Sequence, residues 1–495
     1  MKFTLTPLQD RAIDLLRNSL ASGKRRPMIQ APTGFGKTVV SAAIVEGALR
    51  KGNPVLFVVP FLSLVDQTVE RFAEQGIRSI GVMQGYHPQT DADQPVQVAS
   101  VQTLMRRKLP KAGIVLIDEA HRWFDFYGRW MAMDDWRRIP FVGLSATPWA
   151  KGLGKHYDDL LIPTTTKELI RLGSLSPFKV FAPSHPDLSK VRTVAGDYHE
   201  GDLSEAMSQP VLVADVVSTW LSLGEDRPTL CFAVDRAHAR KLSDQFEAAG
   251  VPAAYVDMDT PPEERQRIGE RLKNGQVKVV VNVYTLTTGI DWDVRSIILA
   301  RPTKSEMLFV QIVGRGLRTA PGKSECLILD HSDTTLRLGF VDDIHHTQLD
   351  DGRHTKSQAK QREKSVPLPK ECPKCSHLKP AGVRACTNCG FAPERQSRIE
   401  EQQGELIALR GRKKSKGEAT PHSKQEVFSM LLWLQQERGY KATYAKAKYM
   451  ARYGEWPVGL HREPKAPDAA FLNWVRSQNI RFAKGRAKAE ATHAA

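Results

Sequence analysis

The chain alternates between short unbroken apolar runs and longer stretches whose apolar residues recur at helical spacing. Five runs come first: PMIQA (27–31), VLFVVP (55–60), VQVASV (96–101), GIVLID (113–118) and FVGLSAT (141–147). Short apolar runs without polar alternation predict strands buried on both faces. The stretches 38–50 and 62–75 between them carry helical spacing. After a less regular stretch at roughly 150–205 the alternation resumes with TLCFAV (229–234), AAYVD (253–257), VKVVVNVY (277–284), SIILA (296–300) and ECLILD (325–330). The pattern predicts an α/β protein with two domains in tandem, each a parallel sheet covered by helices on both faces.

Past residue 345 the alternation stops. The expected division is 1–165 and 166–345 for the two domains, 346–369 for a linker, 370–393 for a cysteine-rich segment, 394–421 for a basic linker, 422–485 for a small helical module and 486–495 for a tail. No repeat of solenoid period is present. With 495 residues, two or three cores are expected rather than one. No run of about 18 apolar residues occurs, so no membrane span is expected. The N-terminal MKFTLTPLQDRAIDLL has neither a long apolar stretch nor a small-residue cleavage site, which points to the cytoplasm.

Charge changes the picture. Residues 352–495 hold 29 Lys and Arg against 13 Asp and Glu, which accounts for the whole net charge of +16; the first 351 residues balance at 42 of each sign. Two readings stand: a solvated tail, or a polyanion-binding appendage on a neutral enzymatic body.

The chemistry begins where PMIQA runs into APTGFGKTVV and a helix follows. Strand, glycine loop, Lys-Thr and helix are the context of a phosphate-binding loop. Gly34 and Gly36 let the backbone turn its N–H groups toward phosphates, and the helix N-terminus adds a favourable dipole. Lys37 is expected to reach the β- and γ-phosphates of ATP and Thr38 to hold Mg²⁺. Ala31 stands where the general pattern has its first glycine. The fourth run ends in Asp118-Glu119, two adjacent carboxylates that are costly to bury without a partner. A metal and a nucleotide supply one: Asp118 would face the Mg²⁺ and Glu119 would polarise the attacking water.

APTGFGKT, DEAH (118–121), SAT (145–147) and QIVGRGLR (311–318) resemble motifs I, II, III and VI of superfamily 2 helicases, in order. LTPLQ resembles the segment that sets a glutamine, here Gln9, near adenine, and VNVYTLTTGIDWDVRSIILARPTKS resembles motif V and its continuation. The block TTGIDW…LARPTKS…QIVGRGLR…PGKSECLILD is similar to RadD-like bacterial DNA-repair helicases. The resemblance covers roughly residues 1–345. It implies two RecA-like domains with ATP between them and Arg315 and Arg318 reaching across as charge-stabilising fingers. Gln311 would help order water or phosphate, while His121, Ser145 and Thr147 would link the nucleotide state to domain movement. Gly289 and Asp291 would join the second domain's ATP face to the nucleic-acid track. PFLSLVDQ (60–67) and SVQTLMR (100–106) resemble motifs Ia and Ib, whose phosphate contacts carry no base information.

Cys372, Cys375, Cys386 and Cys389 form a C-x₂-C-x₁₀-C-x₂-C. Each pair makes a knuckle that directs two thiolates at one tetrahedral ion, and Zn²⁺ in a small ribbon is expected, with a metal-free loop as the alternative. Cys231 and Cys326 lie in apolar runs and read as core. The last module interleaves Trp433, Tyr440, Tyr444, Tyr449, Tyr453, Trp456 and Trp474 with Lys441, Lys446, Lys448, Arg452 and Arg476. Such a mixture suits nucleic acid by stacking and phosphate contact, but Trp433 with Phe428, Leu431, Leu432 and Leu434 also suits a small core in a docking or structural domain.

The expectation is an ATP-dependent DNA helicase or translocase acting in repair, recombination or replication, with ATP, Mg²⁺ and Zn²⁺ as cofactors. Its expected partners are single-stranded or branched DNA and other repair or replication proteins, not a membrane. An RNA helicase and the motor of a restriction or defence complex are the rivals.

Overall fold

The computed structural model describes residues 4–85, 87–287, 290–353, 367–393, 422–472 and 474–475. The chain divides into two compact units, Met1–Gln396 and Ser397–Ala495. The first unit holds two parallel sheets of RecA-like type. The first sheet contains β1 (Pro27–Gln30), β2 (Val55–Val59), β3 (Ile80–Met83), β4 (Val96–Ser100), β5 (Ile114–Asp118), β6 (Phe141–Ser145) and β7 (Asp159–Leu161). Their spatial order is β3-β4-β2-β5-β6-β1-β7. The second sheet contains β8 (Phe178–Phe181), β11 (Thr229–Phe232), β12 (Ala253–Val256), β13 (Val279–Asn282), β14 (Ser296–Leu299) and β15 (Cys326–Asp330), in the order β12-β13-β11-β14-β15-β8. Between β8 and β11 a short antiparallel hairpin, β9 (Thr193–Val194) with β10 (Asp197–Tyr198), stands apart from both sheets.

All ten runs read from the sequence are strands. The central ones are buried along their whole length, as in β2 with every residue of VLFVV covered. Covering a Val or Leu side chain fully stabilises the fold by about 1.5–3 kcal/mol, which is why unbroken Val/Ile/Leu runs settle at the sheet centre. Within the two parallel sheets three further strands join the ten: β3, β7 and β8. Each lies at a sheet edge. Asp118 therefore ends the fifth strand of the chain, not the fourth.

The layers are continuous between the sheets. One buried apolar cluster contains Ile29 and Leu144 of the first sheet and Val40 of the helix after β1, together with Leu175, with Leu230 of the second sheet and with Phe309 of the helix Glu306–Gly316. Residues at the start of the expected linker are folded: the backbone N–H of Gly154 donates to the Asp350 carbonyl at 2.7 Å, and His346 stacks on Trp149 at 4.7 Å.

The cysteine-rich segment forms a hairpin of β16 (Lys370–Glu371) and β17 (Leu378–Lys379). It lies against the end of β8, where Phe181 bridges His377 and the Ala182 N–H donates to the Ser376 carbonyl at 2.9 Å.

In the second unit two helices, Lys424–Glu437 and Tyr444–Tyr453, bury Phe428, Leu431, Leu434, Tyr449 and Phe471 together. Ser423 and Glu426 start the first of them with a reciprocal capping box. Trp433 and Tyr444 pack half-buried against this core, and Arg452 lies 4.1 Å over the ring of Trp474. The basic linker 394–421, the tail and Arg476 lie outside the described residues.

Candidate nucleotide site and cysteine centre

The loop between β1 and the helix Lys37–Leu49 turns at Gly34 and Gly36, with φ of 81° and 85°. That region is open to glycine at little cost. A side chain at either would also collide: a Cβ on Gly34 would lie 2.4 Å from Leu175, and one on Gly36 would lie 2.5 Å from the Gln9 amide. The helix has no side-chain cap, so its first-turn N–H groups remain available to an anion. Gln9 is buried beside this loop; its amide donates to the Phe35 carbonyl at 3.0 Å.

Lys37 crosses to the acids at the end of β5. Its Nζ lies 2.7 Å from Asp118 Oδ1 and also pairs with Glu119. Burial works against the ammonium charge, but the two carboxylates outweigh it and hold the Lys37 pKa above its ordinary value. Burial raises the Asp118 pKa despite Lys37. For Glu119 burial is outweighed chiefly by Lys37, with Arg315 adding to it, so its pKa is lowered and it is ionised at neutral pH. Glu119 has φ of 46°. A non-glycine residue held there costs of order 1–3 kcal/mol, and such strain gathers at functional sites.

From Glu119 a buried polar chain leads to the second sheet. Glu119 Oε2 lies 3.4 Å from His121 Nδ1, which is 2.8 Å from Ser145 Oγ. Burial lowers the His121 pKa to about 4, so the ring is neutral and this contact is no ion pair at neutral pH. The chain ends on Gln311 of the helix Glu306–Gly316, whose Nε2 donates to Thr147 Oγ1 at 3.0 Å and lies 3.3 Å from His121 Nε2. The resemblance implies that Gln311 helps order water or phosphate; in the structure its amide lies on His121 and Thr147.

The second sheet's cations complete the site. Arg315 is partly buried, and burial lowers its pKa to about 10, leaving it charged; among the described residues its Nε has no hydrogen-bond partner. Arg318 pairs with Asp291 and donates to the Ile290 carbonyl at 2.7 Å. A cavity of about 490 Å³ is lined by Gly34, Gly36, Lys37, Thr38, Asp118 and Glu119 from one side of the unit and by Asp291, Arg315 and Arg318 from the other. This falls within the roughly 300–1,000 Å³ of ordinary small-molecule pockets. Gly289 lies outside the described residues. Sequence reasoning missed Ser174 and Arg71, which also line the cavity, and Thr33, against which Gly314 packs so closely that a Cβ would lie 2.8 Å from its hydroxyl. No local pattern marks contacts between segments so far apart in the chain.

The four cysteines converge. Their sulfurs lie within 4.8 Å of one another, with Cys372–Cys389 and Cys375–Cys386 each at 3.7 Å. Four thiolates bound tetrahedrally at about 2.3 Å would be spaced by roughly 3.75 Å, so the donor set fits Zn²⁺. His377 is not part of it: its Nε2 lies 3.0 Å from Thr387 and its ring packs on Phe181. Cys231 and Cys326 are buried, and burial raises both thiol pKa values, to about 12 for Cys326.

With this geometry in place the comparisons fall into line. Residues 2–150 match the family described as "Type III restriction enzyme, res subunit", and residues 213–320 match "Helicase conserved C-terminal domain". Over these two regions the chain is similar to superfamily 2 helicases, and its helicase domains mark it as an ATP-dependent enzyme. It is 28% identical over 380 residues to a 51.5 kDa protein of Lactococcus phage (isolate 7-9), covering 73% of this chain and 77% of that one. It is 30% identical over 358 residues to the putative ATP-dependent helicase IRC3 of Saccharomyces cerevisiae, covering 66% of this chain and 51% of the yeast protein, so it spans about half of that relative. A fragment of a putative HsdR subunit of a type I restriction enzyme from Vibrio vulnificus YJ016 has the same fold, with a TM-score of 0.52 at 19% identity over 70% of this chain and 69% of that one. Among the described residues no helix is long and apolar enough to cross a membrane.

Proposed function

We propose that the protein is a DNA-stimulated ATPase that converts hydrolysis into movement along, or separation of, DNA strands. The observation that carries this reading is the single cavity in which Lys37, Asp118 and Glu119 face Arg315 and Arg318. ATP would lay its phosphates on the N–H groups of the loop Gly34–Thr38, drawing Lys37 away from the acids. Mg²⁺, which shields phosphate charge when bound, would be held by Thr38 and Asp118. Glu119, ionised and freed from Lys37, orients the attacking water and takes its proton. Arg318 exchanges Asp291 for the transferring phosphate, and Arg315 brings a second guanidinium whose Nε is free to donate. Because these arginines come from the second RecA-like layer and the acids from the first, hydrolysis would follow closure of the cleft between them. The four cysteines would hold one Zn²⁺ and fix the ribbon.

DNA is favoured by the RadD-like motif V–VI block, and repair, recombination or replication is the setting it suggests. A second reading, the motor of a restriction-type complex, is favoured by the match of residues 2–150. The test is the ATP turnover rate with matched single-stranded, duplex and forked DNA and with single-stranded RNA. Stimulation by DNA supports the reading; stimulation by RNA alone replaces it, and no stimulation by any of them overturns it.

A further inference from the structure

Gln311 also lines a second cavity, of about 440 Å³, together with Arg122 from the first sheet's loops, Tyr284 and Thr287 from the loop after β13, and the hairpin turn at Ala195–Gly196. Tyr284 is anomalous there. It has φ of 55° and leaves 41% of its surface exposed, although it follows a fully buried strand. Its other neighbour is a cation: the Arg301 guanidinium carbon lies 3.7 Å from the ring centroid.

Arg301 is only 5% exposed and forms no salt bridge among the described residues. Its Nη1 makes a long 3.4 Å bond to the Val234 carbonyl, and its buried Nε has no partner. Asp197 and Glu200 act on Arg301 only at longer range, short of a salt bridge, and a buried cation without a close partner is costly. The ring above it repays part of that cost, and an anion arriving beside the ring would repay more. Across the cavity Arg122 lies 5.0 Å over the ring of Phe61, itself 38% exposed. Asp197, the carboxylate in the cavity wall, is already engaged by the Thr303 hydroxyl and the Lys304 N–H, each at 2.7 Å.

We propose that this cavity seats one nucleotide of a single nucleic-acid strand, its base stacked on the open face of Tyr284 and its phosphate in the field of Arg122 and Arg301. The proposal rests on the nucleic-acid reading above and adds to it a base contact that backbone-tracking segments lack. A tyrosine fixed on a buried guanidinium is a platform already ordered before the base arrives, so stacking costs little further side-chain entropy. Stacking accepts any base, which suits a motor without sequence preference. Occupancy would also reach the nucleotide site, because Gln311 in the cavity wall is bonded to His121 and Thr147.

The experiment compares, by anisotropy, the full chain's affinity for a labelled oligothymidylate and for an abasic strand of the same length and charge. The wild type is expected to prefer the strand with bases by about tenfold or more. Tyr284→Ala should abolish that preference while Tyr284→Phe and Tyr284→Trp retain it. Equal affinity of the wild type for both strands overturns the proposal without requiring any variant to fold, and so does a preference unchanged in Tyr284→Ala. The same two strands in the ATPase assay separate the levels: equal stimulation by both leaves the DNA-stimulated ATPase standing and removes only the stacked base, whereas no stimulation and no binding by either removes both.

Discussion

Gln311 Nε2 donates to Thr147 Oγ1 at 3.0 Å, and this bond between side chains 164 positions apart joins the helix that carries Arg315 to the loop after β6. The same amide touches His121, which lies beside Glu119, so the polar chain runs from one RecA-like layer to the acids of the other. Removing the amide should uncouple them. In Gln311→Ala the nucleic-acid-stimulated ATP turnover is expected to fall about tenfold, the usual size of such couplings, with ATP affinity retained. Turnover that still rises with nucleic acid as in the wild type would count against this role.

Glu119→Gln keeps the shape of the site but cannot take a proton. Turnover should fall by about 10²–10⁴ while ATP still binds. The comparison is single-turnover hydrolysis against equilibrium binding of a fluorescent ATP analogue; wild-type hydrolysis in this variant would remove the general-base assignment.

Arg318→Ala should lower kcat by about 10³ with little change in ATP affinity, since a cation supplied across a cleft acts mainly in the transition state. A variant that lost ATP affinity with kcat unchanged would place Arg318 in ground-state binding instead. Asp291→Asn, which frees the same guanidinium from its partner, should leave kcat far closer to the wild type.

The cysteine centre should carry one Zn²⁺ per chain, read by elemental analysis of the purified protein. The double variant Cys386→Ser, Cys389→Ser should lose it and unfold the ribbon, because a thiolate site and its local fold form together. Protein purified without any metal would defeat the assignment.

Acid sensitivity follows from three buried imidazoles. Burial lowers the pKa of His121, His238 and His331 to about 4 each. In the unfolded chain a histidine titrates near 6.5, so between about pH 6.5 and 4 the unfolded state binds more protons and stability falls as pH falls. Each contributes a slope of about 1.4 kcal/mol per pH unit in that window. His238 lies outside the nucleotide site, and His238→Gln should flatten the decline by about one histidine's share in urea melts at pH 7, 6, 5 and 4. An unchanged slope would mean that His238 is charged in the fold.

Much of this was legible in the chain. Nine central strands and the edge strand β12 declare themselves as apolar runs, because burial demands them, and the nucleotide residues because phosphate and metal chemistry tolerates few substitutes. The other three edge strands, β3, β7 and β8, were not legible. β8 reads FKVF, where Lys179 leans out to Glu325, and β7 opens on Asp159, which accepts a bond from Ser19. In β7 and β8 one polar residue is enough to hide a three- or four-residue strand, whereas β3, IGVM, is apolar and is hidden by its shortness and its glycine. The partner of Gln311 was illegible for a different reason: its motif sets the residue type, but the contact is fixed by how two separately folded layers meet. Tyr284 was hidden inside an apolar run that continues β13, where only its exposure sets it apart.

The hairpin of the cysteine segment has one more effect, on the life of the molecule outside its reaction. A parallel sheet ends in a row of unpaired backbone groups, and an uncovered edge recruits strands from other chains. On the β8 side that row meets the ribbon, through the bridge of Phe181 with His377 and the bond from Ala182 to Ser376. The ribbon therefore acts as a selvedge for the second sheet. Chelation or oxidation of its thiols would lay bare an adhesive margin, and the first symptom would be clumping of the protein while its nucleotide pocket was still intact.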